Sequence, residues 1–223
     1  VGRTQVLERM KTVISDSASG PVVMVLTGIG GQGKTQTALE FCYRSAADYT
    51  GILWIDASTR ASTIRGMEAI AEKLSSGEQT FSTSDAKVNI VKAKLHSWDG
   101  PWMIVFDNYD SPESFKDLRS FYPESAHGVK NVILVTSRQV SVERLGVPVK
   151  VGALEEEESV KLLLARTPKE CNTPAEKEIA QKIVAKLGHL ALAIDQASAY
   201  ISSRQLPLTE FLTHFEARRG TIL

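Results

Sequence analysis

Residues 27 to 35 read Thr-Gly-Ile-Gly-Gly-Gln-Gly-Lys-Thr and follow directly on the apolar run Val22 to Leu26. A buried strand that breaks into a glycine-rich loop and then into a helix leaves few folds open. The pattern is GxxxxGK(S/T), the P-loop or Walker A motif, in the strand-to-helix setting that gives it meaning. Gly28, Gly30, Gly31 and Gly33 allow the backbone to turn tightly and aim successive N–H groups at one point, where a polyphosphate fits. A helix beginning near Lys34 adds its positive N-terminal end. Lys34 is placed to reach the β- and γ-phosphates and the Thr35 hydroxyl to hold Mg²⁺, while Ile29, Gln32 and Gln36 complete the expected cradle. The competing account, a glycine-rich turn without a ligand, explains neither the lysine nor the threonine. The motif therefore predicts a binder of ATP or ADP with Mg²⁺.

Apolar runs elsewhere extend the pattern. Val6, Leu7, Met10, Val13 and Ile14 repeat at helical spacing, and Ala38, Phe41 and Cys42 mark the core face of a helix expected to run to about Ala47. Residues 51 to 57 read as a strand, followed by a helix with Ile64, Met67, Ile70, Ala71 and Leu74 on one side. After a polar loop, Ser75 to Ser84, comes a helix carrying Val88, Val91 and Leu95, which leads into Trp102 to Asp107. Two more apolar runs are Val132 to Val135 and Val147 to Val151. Five short strands of continuous hydrophobicity separated by helices predict an α/β fold: a five-stranded parallel sheet covered on both faces. From Leu154 onward the signals are helical only. Glu155 to Glu158 stand at a helix start, Thr173-Pro174-Ala175-Glu176 is a capping box with proline in the first turn, and helices are expected over about 190 to 202 and 208 to 219. The expected division is a nucleotide-binding domain over 1–152 and an all-helical domain over 153–223.

Composition narrows the partners. Lys plus Arg and Asp plus Glu are both 26, so no net charge holds nucleic acid or an anionic membrane. No apolar stretch approaches membrane-spanning length, and the N-terminus lacks a signal peptide's regions. The two cysteines, Cys42 and Cys171, have no metal-ligand spacing, and Cys42 falls on an apolar helix stripe. A cytoplasmic location is expected, and the chain reads as a piece of something longer. His96, His127, His189 and His214 are scattered without ligand spacing.

An apolar strand ending in Asp107 is the natural second half of a P-loop site, its carboxylate holding Mg²⁺ directly or through water opposite Thr35. Many ATPases place a second acid immediately after, to orient the attacking water. Asn108 stands there instead, which leaves Asp110 as the candidate substitute. Arg138, after the Val132 to Val135 strand, is a candidate contact to a γ-phosphate, its planar fork and permanent charge suiting the task. Asp107, Asp110 and Arg138 are thus the candidate catalytic groups. Leu74 to Gln79 resembles the signature sequence of ABC transporter ATPases but follows the P-loop too soon and lacks a downstream Walker B glutamate.

The order of Val1-Gly2-Arg3, the P-loop, Trp54 to Ser58, Ile104 to Asp110, Val132 to Arg138 and Leu187 to Leu192 resembles the NB-ARC class of STAND NTPases over nearly the whole chain. That class includes apoptosome scaffolds, plant disease-resistance proteins and fungal and bacterial NOD-like receptors. The resemblance implies that the Arg138 strand lies between the Walker A and Walker B strands, and that a small helical domain follows. It implies that Val1, Gly2 and Arg3 pack near the adenine and that Leu190-Ala191-Leu192 closes over the nucleotide, with Ala191 where the family usually has proline. It also implies a switch locked by ADP and opened by ATP into oligomers, with sensor and effector domains outside this stretch. A turnover ATPase of the AAA+ or NACHT kind and a non-switching nucleotide-bound scaffold remain open alternatives; a small-acceptor kinase would need an arginine-rich lid and a GTPase an NKxD-type motif, and neither is found.

Overall fold

Apolar runs too short for helices become the strands of one parallel sheet: β1 (Val22–Thr27), β2 (Gly51–Asp56), β3 (Trp102–Asp107), β4 (Val132–Ser137) and β5 (Val147–Lys150). The computed structural model describes residues 2–17, 20–74, 83–124, 129–165 and 173–219. Val1, residues 75–82 of the polar loop, which hold all of the ABC-like sequence but Leu74, and Cys171 lie outside the described residues. Strand order is β2-β3-β4-β1-β5, so the strand leading to Arg138 does lie between those of the two nucleotide motifs. Every position of β3 and β4 is buried, as continuous hydrophobicity requires of central strands. β5 departs from that expectation. Only Val149 is buried there, and Pro148, which cannot donate to a ladder, is tolerated at the sheet's edge.

Side chains alternate across this sheet. Met24, Leu26, Met103, Val105, Val132 and Leu134 face α1 (Thr4–Asp16) and α2 (Lys34–Arg44), meeting Leu7, Met10, Phe41 and Cys42. Ile104, Phe106, Ile133 and Val135 face the other way, into a core shared with Met67 of α3 (Arg60–Leu74) and Val91 and Leu95 of α4 (Ser84–His96). Each such side chain contributes roughly 1.5–3 kcal/mol by leaving water. α2 is shorter than its apolar pattern predicts: it stops at Arg44, and Ala46–Asp48 continue as a tighter 3-10 turn closed by Asp48 N–H on the Ser45 carbonyl at 2.9 Å.

Two further features carry no periodicity. Leu118–Phe121 form a 3-10 turn over a cluster in which Phe115 meets Tyr109 and Phe121 edge-on, at 5.3 and 5.8 Å between ring centres. Asn131, buried just ahead of β4, accepts from the Trp102 amide through its side chain at 2.9 Å and from the Val22 amide through its carbonyl at 2.8 Å, pinning the starts of β1 and β3.

The chain divides into two compact units. The first, Thr4–Ile29 and Lys34–Val151, holds the sheet and these helices. The second gathers the N-terminal residues up to Arg3, Gly30–Gly33 and the residues from Gly152 onward. Its helices are α5 (Glu156–Leu164), α6 (Pro174–Lys186), α7 (Ala191–Arg204) and α8 (Leu208–Arg219), packed around Leu163, Ile183, Val184, Ile194 and Ile201. α6 begins with the capping box expected from Thr173 and Glu176. Ser198 of α7 donates to the Leu163 carbonyl at 2.7 Å, which satisfies a buried hydroxyl and ties α7 to the end of α5.

Candidate functional site

Parallel strands deliver functional groups at their C-terminal ends, and β3 and β4 do so side by side. Asp107, the last residue of β3, is 4% exposed. Such a carboxylate needs donors, and three surround it. Thr136 of β4 donates through its hydroxyl at 2.6 Å, Thr35 in the first turn of α2 approaches both carboxylate oxygens at 2.9 and 3.2 Å, and the Asn108 amide lies at 3.3 Å. Thr35 Oγ1 and the Asp107 carboxylate are hard oxygen ligands within a cation's reach of each other. Such a pair suits Mg²⁺, which keeps most of its waters and takes one or two protein oxygens beside phosphate. When bound, the ion would neutralise charge on the phosphates; Thr136 meanwhile fixes which way Asp107 faces.

Lys34 folds back over the start of its own loop. Its ammonium donates to the Gly28 carbonyl at 2.8 Å and to that of Ile29 at 3.1 Å, leaving one of three donors for a phosphate. Burial chiefly lowers its proton affinity; Asp110 raises it, Arg138 lowers it and Asp107 raises it, so these charged groups all act on one ammonium. Ile29 is 64% exposed, and Gln36 is exposed on the first turn of α2.

The segment after Asp107 turns sharply. Asn108 sits at φ 65°, a left-handed conformation that asparagine and aspartate adopt more readily than most residues, so the backbone suits either one and does not itself explain the amide. Its N–H donates to Thr136 Oγ1 at 3.0 Å, that of Tyr109 to the Thr136 carbonyl at 2.9 Å, and Ser137 Oγ to the Tyr109 carbonyl at 2.5 Å. These bonds stitch the loop after β3 to the end of β4. Asp110 then takes Arg138 at two points: one carboxylate oxygen accepts from the Arg138 backbone N–H at 2.7 Å, the other from its Nε at 2.8 Å.

The middle of the P-loop and the N-terminal residues belong to the helical unit. Gly31 and Gly33 have φ of 80° and 86°, so the glycines there are required by the backbone itself. A Cβ on Gly31 would meet that of Leu192 at 3.1 Å, and the Leu192 N–H donates to the Gly31 carbonyl at 2.9 Å. The start of α7, Ala191 after Leu190, thus lies against residues 31–33. Arg3 reaches the same stretch: its Nη2 donates to the Gln32 carbonyl at 2.6 Å and its Nη1 to that of Ala153 at 3.1 Å. Burial lowers the guanidinium's proton affinity most, with Glu158 and Glu155 opposing. Gly2 precedes it at φ 81°, and the Arg3 backbone N–H is taken by Glu158 at 2.6 Å. Gln32 Oε1 is buried with no donor among the described residues, an acceptor that a ligand's donor would satisfy.

Sequence motifs thus supplied Lys34, Thr35, Asp107, Asp110 and Arg138, which the fold gathers at one end of the sheet. They did not supply Thr136 as the donor to Asp107, Glu143, which accepts from Thr27 Oγ1 at 2.8 Å just ahead of the P-loop, or Glu158 on Arg3. Thr136 carried a signal: a hydroxyl inside an apolar strand must find a partner, and the adjacent strand ends in an acid.

A five-stranded parallel sheet with a glycine-rich loop after β1 and an acid ending β3 defines a P-loop NTPase. Within that class the chain belongs to the NB-ARC domain family, which matches residues 3–170. Binding of ATP or ADP is typical of NB-ARC domains. A nucleotide-binding leucine-rich repeat (NLR)-like protein from the fungus Hyaloscypha variabilis is 27% identical over 212 residues, covering 87% of this chain and 21% of that protein. Among solved structures, the ORC1 protein of Aeropyrum pernix, in complex with DNA, superposes with a TM-score of 0.61 at 17% identity, over 96% of this chain and 65% of that one. A STAND protein with a tetratricopeptide repeat sensor from Pyrococcus horikoshii gives 0.51 at 17% identity, over 87% of this chain and 29% of that one. These structures establish the shared fold, and the chain spans about a fifth of the fungal relative's length. Among the described residues no helix is long and apolar enough to cross a membrane.

Proposed function

We propose that this chain is the nucleotide-reading core of a cytoplasmic signalling switch. ADP holds a resting state, exchange for ATP opens the parent receptor to self-association, and hydrolysis is slow and regulatory. Sensor and effector segments of the parent protein supply its signal and output, as in immune or cell-death receptors. The observation that carries this reading is the place of Arg138, directly after the strand that lies beside the Asp107 strand and paired there with Asp110; the reading sets a third phosphate, and not a second, against its guanidinium. A switch requires differential affinity of the two nucleotides for two states, and a guanidinium that meets only the γ-phosphate supplies one. Asp107 with Thr35 serves the metal in both states. Asn108 in place of an acid agrees with slow turnover.

Mass spectrometry of the denatured, freshly purified protein is expected to find retained ADP. In nucleotide-free protein, ADP at a hundred times its dissociation constant should add about 2.7 kcal/mol of stability, and Lys34→Ala should abolish that shift. A normal shift in Lys34→Ala removes the P-loop as the site. Arg138→Ala should narrow the ATP-to-ADP affinity ratio, and an unchanged ratio refutes the switch assignment.

A further inference from the structure

Arg138 is an exposed side chain, 62% accessible, yet it is not left to wander. Long exposed arginines lose about 2 kcal/mol of rotamer freedom when held, so an anchored one implies a contact that offsets that loss. Asp110 makes that contact at two points on a single residue, the backbone N–H at 2.7 Å and Nε at 2.8 Å. Engagement through Nε leaves open the end-on edge formed by the two terminal nitrogens, and the guanidinium meets no acceptor other than Asp110 among the described residues. That edge presents two parallel donors, the geometry that suits a phosphate's oxygens. Asp110 is itself fixed. Its N–H donates to the Asn108 carbonyl at 2.7 Å, and the Tyr109 amide and carbonyl are bonded to Thr136 and Ser137, so it moves with the Asp107 loop rather than as a free surface acid.

From these contacts we propose that Asp110 is a positioning residue and a determinant of nucleotide specificity. It holds the Arg138 fork toward the terminal phosphate of a triphosphate and couples that orientation to the loop bearing Asp107. This rests on the reading of Arg138 as γ-phosphate contact, and it gives Asp110 a role other than orienting the attacking water, the one expected from its place after Asp107: each of its carboxylate oxygens meets a donor of Arg138. Removing Asp110 then lowers affinity for ATP, because the fork must be ordered at the moment of binding, while ADP, which never meets the fork, is held as before.

The test is competition of ATP and of ADP against a fluorescent nucleotide on nucleotide-free protein in Mg²⁺. Asp110→Ala is expected to weaken ATP by roughly three- to tenfold and ADP by less than twofold. Asp110→Asn, which keeps an acceptor for the Arg138 backbone N–H and so guards against misfolding, should lower the ratio in the same direction by a smaller factor. The Asp110→Ala, Arg138→Ala double variant should bind ATP no more weakly than Arg138→Ala alone, since a positioning residue has nothing to act on without its arginine. Three results overturn the proposal: ATP bound more tightly by Asp110→Ala, which makes Asp110 a competitor of the phosphate; equal weakening of both nucleotides; or additive losses in the double variant. If Arg138→Ala itself leaves the ratio unchanged, the underlying reading falls and this falls with it. A ratio altered by Arg138→Ala but untouched by Asp110→Ala defeats the positioning role alone.

Discussion

Replacing Thr136 by valine tests the hydroxyl that orients Asp107. The side chain is fully buried, donates to Asp107 at 2.6 Å and accepts from the Asn108 N–H at 3.0 Å. Valine is nearly isosteric, so no cavity opens and the loss is one of bonding. A hydrogen bond to a charged acceptor contributes about 1.5–3 kcal/mol, and an orphaned N–H costs about 1–3 kcal/mol when fully buried. Asn108 is exposed, so water recovers part of the second amount, and the added methyl returns about 0.8 kcal/mol. Destabilisation of about 2–3 kcal/mol follows, or a fall of roughly 4–12 °C in Tm at this chain length. Thr136→Ser keeps both bonds and loses one buried methyl, costing about 1 kcal/mol. Urea denaturation should therefore rank wild type above Thr136→Ser and Thr136→Ser above Thr136→Val. Serine as damaging as valine, or valine indistinguishable from wild type, would show that packing rather than the hydroxyl matters at this position.

Two other perturbations follow from the same structure. Burial pushes the Cys42 thiol up to about 11, so the folded state holds its proton more tightly than the unfolded chain does. That stabilisation is complete below the ordinary thiol value near 9 and is lost as pH rises through 11, amounting to about 2–3 kcal/mol. Cys42→Ala should flatten the stability profile between pH 9 and 11 in urea melts, and an equally steep profile would exclude Cys42 as its source. Ala191 is the first residue of α7, the preceding Leu190 is extended at φ −80° and ψ 115°, and the Ala191 N–H has no partner among the described residues. Ala191→Pro should add about 0.4–1 kcal/mol, and a lowered melting temperature would contradict the geometry.

What the sequence disclosed, and what it withheld, follows from the range of the interactions. The P-loop, the strand ending in Asp107 and the capping box at Thr173 are local, each needing only a few neighbouring residues, and all were readable. The place of β4 between β1 and β3 came from resemblance, since periodicity does not say which buried strand pairs with which. The donor to Asp107 was hidden for a different reason. Strand β4 carries hydroxyls at both Thr136 and Ser137, and only the register of β3 against β4 decides that the first meets the acid while the second turns to the Tyr109 carbonyl. The Tyr109, Phe115 and Phe121 cluster has no period at all, because its residues come from a turn and a loop.

Strand β1 finds both its neighbours late: β4 begins at Val132 and β5 at Val147, more than a hundred residues downstream. On a ribosome adding about 5–20 residues per second, the strand that leads into the phosphate loop waits on the order of ten seconds with both edges unpaired. The β2 and β3 pair is complete by Asp107, but its neighbour β4 is not yet made. This domain's apolar first strand therefore depends during synthesis on whatever shields it, and any nascent chain that stalls before Val132 carries a nucleotide motif with no sheet on which to mount it.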